Sequence, residues 1–499
     1  MKKLITALLL FSTLITLASC SSGGEDAAET VTTAVTTETT AVETGTTYYE
    51  SDLPEDLDFK GESVSFLYRD EIGDEFWCEV QDGEIVNDAL YTDILKVEEQ
   101  LKCDMVCVRR LGHYTVNRNE YMNHITSTIL AGDDLYAWVD LMVGNSPTKM
   151  KEGIFYNIFK VKYIDFEKPW YLKDMSETVS IDNRLYFITS DASIDYLRCA
   201  FCIFFNKTTA ENYGVDNLYE LVLEGQWTLD NITDITKKVS SDLDGDGVIG
   251  KDDQLGFLVH DTNHPKGFMG SCDSLTFSRD ADGNWQYTYG SERDANVVEK
   301  LHTFLYATEG ALHSGVTDAV ADQAEKYAAF TSSFKSGKIM MMTAEFNHAS
   351  TLLRDMESEY GVLPYPKYDE AQNEYKFMSR NTHNAFSMPT TCGNIDLAGA
   401  AYEALSCANY NNLLPAYYEV ALKTKYASDD ESAQMYDLIH NNIILDFGYT
   451  FNNSFSPGPE SIFLNGAKTG SFASDLASKK DALVASVEKY INIILDIPD

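Results

Sequence analysis

Two apolar runs with a helical repeat between them constrain what this chain can fold into. Residues 64–68 and 103–108 are strand-like, and Leu90, Ile94, Val97 and Leu101 recur between them at the spacing that aligns side chains on one helix face. A strand, a helix and a second strand in that order form a βαβ unit, so the first sheet starts parallel. Further on, residues 230–239 and 398–408 have helical spacing, and residues 337–342 read as a buried strand after a helix carrying Phe330 and Phe334. Residues 275–289 alternate around Asp282, Gly283 and Asn284 as a hairpin does. Leu476, Leu483, Val484, Val487, Ile491 and Ile494 make one face of a terminal helix. No repeat of fixed period is present, which argues against solenoids and propellers. The fold class is mixed α/β.

Size divides that fold in two. The chain has 499 residues, of which 44% are hydrophobic, and single cores stop growing at roughly 250 to 300 residues. Two lobes are expected. Lys and Arg number 38 against 78 Asp and Glu, a net charge of −40. Such a field repels phosphate backbones and anionic headgroups, so nucleic-acid binding is excluded. After residue 20 no apolar run approaches the roughly 18 residues a membrane span needs.

The first residues are an address. Lys2 and Lys3 precede an apolar stretch, residues 4–17, that ends in Ala18, Ser19 and Cys20. This is a signal peptide of residues 1–19, and with Leu17 its end resembles the bacterial lipobox, in which the cysteine is lipidated after cleavage. The alternative is an ordinary secretory signal with a chance cysteine at its end. Residues 20–57 are expected to be a lipidated Cys20 followed by a disordered, Thr-rich linker, because residues 21–47 contain no large hydrophobe with which to offset ordering entropy. The membrane is then met only through the lipid anchor.

The other eight cysteines suggest a disulfide framework, but spacing argues against pairing the near neighbours. Cys103 and Cys107 on one strand would lie about 13 Å apart, whereas a disulfide needs Cα atoms within about 7 Å. Cys199 and Cys202, in the strand-like run 197–205, would face opposite ways. All four read as buried small hydrophobes.

One loop carries metal-type spacing. In the stretch SDLDGDGVIGKDDQ, Asp242, Asp244, Asp246 and Asp253 fall at positions 1, 3, 5 and 12, Gly247 at 6, and the carbonyl of Val248 at 7. This matches the EF-hand pattern, in which oxygens converge on a hard cation and the glycine permits a sharp turn. A structural Ca²⁺ is the expected cofactor; a solvated acidic turn is the alternative. Position 12 is Asp where Glu is usual, and no second copy follows, as a dockerin would require.

Several segments, in order, resemble one family. GEIVNDALYTDILKVEEQL (83–101) is similar to its first helix and FEKPWY (166–171) to an aromatic pair before a lobe crossing. FNKTTAENYGVDNLYELVLEGQWTLD (205–230) resembles its Asn-Lys segment, Tyr-Gly turn and Trp-Thr helix start, and YGVLPYPKYDEAQ (360–372) its strand-to-proline segment. The family is that of extracellular solute-binding lipoproteins of bacterial carbohydrate ABC importers, maltose-binding-protein-like. Thr208, Thr209 and Tyr171 depart from its usual residues. The resemblance implies two α/β lobes with an interlobe cleft, crossing hinge strands and closure on a ligand. The first lobe would hold residues 58–193 with part of 384–435, the second residues 194–383 with 436–499. The implied function is capture of a mono- or oligosaccharide and its delivery to a membrane permease, by a monomer that performs no covalent chemistry.

A sugar needs flat aromatics for its ring face and carboxylates or amides for its hydroxyls. Trp170 and Tyr171 are candidate stacking residues, and Asp191 beside the crossing is a candidate acceptor. Glu345, Phe346 and His348 follow a strand, at the end where α/β ligands gather. His383 and Asn384 precede the return crossing, and Arg69 ends the first strand. Trp77, Trp138, Trp227 and Trp285 read as core or hairpin residues. Two other classes compete: an exported glycoside hydrolase, which would need a pair of carboxyl groups roughly 5 to 9.5 Å apart, and a calcium-stabilised surface adhesion module.

Overall fold

The structure is a computed structural model that describes residues 48–70, 76–172, 174–215, 217–315, 323–423 and 430–498. The signal segment, Cys20 and the linker up to residue 47 lie outside the described residues. The folded unit begins at Tyr48, earlier than the boundary at residue 58 read from the sequence. The reason is local: Tyr49 packs edge-on against Tyr410, and its backbone exchanges hydrogen bonds with the Asn411 side chain at 3.0 and 2.8 Å.

Two sheets form the two lobes. The first contains β1 (Ser63–Arg69), β2 (Asp104–Arg110), β3 (Trp138–Met142) and, from far along the chain, a returning strand Asn384–Ser387. β1 pairs in parallel with β2 and β3, while the returning strand runs antiparallel to β3 at the sheet edge. The expected βαβ unit is present, its helix spanning Ile85–Leu101 with Glu84 capping the Val86 and Asn87 amides. The second sheet contains β4 (Phe201–Asn206), β5 (Leu255–Val259), β8 (Ala311–His313), β9 (Ile339–Glu345) and β10 (Tyr360–Leu363), while β6 (Phe277–Arg279) and β7 (Trp285–Tyr287) form a separate two-stranded hairpin. The returning strand of the first sheet is therefore β11. The second sheet runs in the order β10-β4-β9-β5-β8 and mixes parallel with antiparallel pairs. Every residue of β4, β5 and β9 is buried, which is why these segments read as unbroken apolar runs.

Helices cover both sheets. Helix Leu229–Val239 lies so close to β5 that a Cβ on Gly256 would stand 2.3 Å from the Thr236 carbonyl oxygen. Helices Ile395–Asn411 and Leu413–Lys423 pack on Ile85–Leu101, whereas Asp430–His440 packs on β10. The terminal pair, Pro459–Thr469 and Phe472–Leu495, packs on Glu292–His302. Tyr490 of that pair also donates to the Pro147 carbonyl at 2.6 Å, joining it to the first lobe.

Two crossings link the lobes side by side. Ile188 bridges Phe386 and Ala200 bridges Ser379, both antiparallel, so residues 188–200 and 379–386 run as neighbours between the sheets. The strand expected from residue 197 starts later, at Phe201, because Asp195–Arg198 closes a helical turn and Cys199 caps it. The eight described cysteines are free thiols, six of them buried; Cys78 and Cys107 are half-buried.

Candidate binding cleft between the lobes

The cleft is built where strands of both sheets stop. β3 ends at Met142, and the chain turns through Gly144 and Asn145; β5 ends at Val259, and Asp261, Thr262 and Asn263 follow. These carboxyl-terminal strand ends are where open α/β sheets place ligands. Between them lies a cavity of about 480 Å³. Tyr114 and Arg118 reach it from the first lobe, Lys266 and Tyr327 from the second, Arg380, Asn381 and Thr382 from the return crossing, and Asn453 and Glu460 from the C-terminal region.

Charge organises its centre. The Arg380 guanidinium pairs with Asp261 at 3.0 Å and with Glu345 at 2.8 Å, while His264 Nε2 stands 3.4 Å from the same Glu345 oxygen. Burial pushes the carboxyl groups of both Asp261 and Glu345 up, but His264 and Arg380 outweigh it and hold both below their ordinary range. Lys266 pairs with Glu460 at 2.7 Å. Thr343 fixes the histidines behind this wall: its hydroxyl accepts from the His260 amide at 3.0 Å and contacts His264 Nδ1 at 2.9 Å. His348 is pushed down to about 3 by burial and so stays neutral. The cleft thus offers fixed charges and the amides of Asn145, Asn263, Asn381 and Asn453 to a polar ligand.

None of the nine binding residues inferred from the sequence lines this cavity; several stand one layer behind it. Glu345 holds Arg380 from below. Arg69 is buried, bonds Asp140 at 2.8 Å and the Asn384 side chain, and donates to the carbonyl of the cleft residue Thr382 at 3.3 Å. His383 is buried beside Asn384, and burial lowers its pKa to about 4. The aromatic candidates are elsewhere. Trp170 is only 1% exposed and packs near Tyr410, and the Tyr171 hydroxyl donates to Glu403 in the first-lobe core. Phe346 packs edge-on against Tyr436. Asp191 is fully buried, accepts from the Tyr196 hydroxyl at 2.7 Å, and is pushed up to about 7 by burial. β3 and β5 are not among the strands read from the sequence; with them in place, the strand-end rule that was applied to β9 selects Asn145 and Asp261.

The acidic loop lies apart from the cleft. Carboxylate oxygens of Asp242, Asp244 and Asp246 come within 4.8 Å of one another, all exposed. Asp242 accepts from the Gly245 and Gly247 amides, and Gly247 takes φ 84°, the left-handed turn its position demands. Asp253 accepts from the amides of Leu243 and Gly250 at 2.8 and 2.7 Å. The donor set is all oxygen, which suits a hard cation, although Asp253 is already engaged by backbone.

Neither a protein-family model nor a curated protein matches the sequence. Solved structures match the fold. An extracellular solute-binding protein of Staphylococcus aureus in complex with maltose has a TM-score of 0.56 at 12% identity, over 88% of this chain and 99% of that one. The galacto-N-biose/lacto-N-biose I-binding protein of the Bifidobacterium longum ABC transporter, with lacto-N-biose, has a TM-score of 0.54 at 12% identity, over 87% and 98%. An ABC substrate-binding protein of Listeria monocytogenes with cycloalternan has a TM-score of 0.51 at 13% identity, over 86% and 99%. The chain therefore has the two-lobed fold of ABC solute-binding proteins.

Replacing Arg380 with Gln removes the guanidinium shared by the half-buried Asp261 and the buried Glu345 and should cost about 3 kcal/mol at pH 7. Because the partners' pKa values are depressed in the folded state, that stabilisation is present above the carboxylate range and lost as pH falls through it. Denaturant melts should therefore show the R380Q deficit narrowing below about pH 4; a deficit equal at pH 3 and pH 7 contradicts the ion-pair account.

Proposed function

We propose that this protein captures a carbohydrate between its lobes and presents it to the membrane permease of an ABC importer, on the extracytoplasmic side. The observation that carries this is the cavity itself: both lobes and the crossing contribute polar groups to one space, so closing the lobes engages a ligand from two sides. The sugars bound by proteins of the same fold support it. Closure gives the permease a difference to detect, since only the loaded form is held shut.

The electrostatics favour binding over hydrolysis. A glycosidase needs one carboxyl group kept protonated as acid, whereas of the two carboxyl groups lining the cleft Asp261 is held ionised by His264 and Arg380 and Glu460 is paired with Lys266 at 2.7 Å. Thermal unfolding against a panel of mono- and oligosaccharides checks the proposal. A ligand at about 100 times its dissociation constant adds roughly 2.7 kcal/mol, and chromatography should recover it intact. Cleaved product would favour the hydrolase, and silence across the panel would favour the adhesion module.

Two further features belong to this proposal. Cys20, at the end of the signal segment, anchors the protein by lipid; changing Cys20 to Ser should move it from the membrane fraction to the soluble one. Ca²⁺, held by Asp242, Asp244, Asp246 and the Val248 carbonyl, staples the acidic loop without entering the cleft. Terbium luminescence displaced by Ca²⁺, and lost when Asp242 and Asp244 are both changed to Asn, is the expected result; equal luminescence from the variant would place the ion elsewhere.

A further inference from the structure

The cleft does not stop at its first cavity. A second cavity of about 390 Å³ opens beside it over the first lobe, and the two share Arg118, Asn145 and Asn453 as lining residues. Pockets that hold a drug-sized ligand run from roughly 300 to 1,000 Å³, so the first cavity suffices for a small ligand and the second provides room for more units of the same chain.

The charge of this joined groove is the reverse of the protein's. Across the whole chain acids outnumber bases 78 to 38, yet the charged residues lining the groove are Arg118, Lys149, Lys266 and Arg380 against Asp261 and Glu460. Three of the four bases are already engaged: Lys149 by Glu152 at 2.8 Å, Lys266 by Glu460 at 2.7 Å, and Arg380 by Asp261 and Glu345. Arg118 is exposed, and no acidic group among the described residues pairs with it. It stands at the junction of the two cavities and at the first position of helix Arg118–Leu130, whose positive end adds to the same sign. A guanidinium presents a planar pair of donors that matches an anionic oxygen group.

Resting on the carbohydrate-binding proposal above, we infer that the ligand is an acidic oligosaccharide, extended through both cavities, with an anionic group held by Arg118. The neutral amides of Asn145 and Asn453 at the same junction would take sugar hydroxyls on either side of that group.

The test is calorimetry on the purified chain with acidic trisaccharides (galacturonate, mannuronate and sialylated), their monosaccharides and neutral trisaccharides. The expected result is that at least one acidic trisaccharide binds about tenfold or more tightly than its monosaccharide and than every neutral trisaccharide, and that Arg118→Gln removes about tenfold of that affinity. Arg118 is on the surface, so an unchanged melting temperature of the ligand-free variant confirms that its fold is intact. Neutral trisaccharides binding as tightly as every acidic one, or an R118Q variant that binds the acidic ligand unchanged, overturns the inference and leaves carbohydrate capture standing. Binding to no saccharide of either charge overturns both.

Discussion

The buried guanidinium of Arg69 is the contact on which the architecture turns. It ends β1, bonds Asp140 in the neighbouring β3, and reaches across to Asn384 and Thr382 on the return crossing. Asn384 in turn bonds Tyr68 of β1 and Ser193 of the outgoing crossing, and its amide donates to Asp195. One cation thus ties the first sheet to both strands of chain that join the lobes. Burial opposes its charge, but Asp140 and Asp195 outweigh that and keep the arginine protonated. Removing one member of such a cluster is costly, because it leaves the others desolvated without a partner.

The second lobe repeats the device on its own side of the cleft. Arg380, on the same crossing, is held by Asp261 after β5 and Glu345 at the end of β9. The return segment therefore carries one guanidinium contact to each lobe: Arg69 from the first sheet meets it at residues 382 and 384, and its own Arg380 meets the second. Positions 381 and 382 between them face the cavity. A ligand that contacts them touches the segment both lobes grip, which gives binding a direct mechanical route to the relative position of the lobes.

How much of this was legible in the sequence depended on range. The βαβ unit, the hairpin around Gly283, β9 with its preceding helix, and the long terminal helix were readable because periodicity is local and burial on one face imposes it. The first residues of the compact unit were misjudged, since Tyr48 and Tyr49 look like the end of a polar linker until the partner Tyr410 is known. The site suffered more. Trp170 and Phe346 have the chemistry of stacking residues, but each is buried, Trp170 near Tyr410 and Phe346 against Tyr436; side-chain type does not say which side of a wall a residue occupies. Glu345 and Arg69 were singled out for standing at strand ends, and they stand directly behind the cleft lining.

By itself the sequence determined the alternation of strands and helices, the size that requires two lobes, the acidic surface and the oxygen-rich loop, all properties carried by neighbouring residues or by composition. Only the tertiary structure decided which strand ends meet. Packing of the two lobes brings the ends of β3 and β5, which belong to different sheets, to one cavity, and the antiparallel crossings bring Arg380 and Asn381 to it from more than a hundred positions away along the chain. Convergence of that kind depends on pairing between distant segments, and no local pattern of residues encodes it.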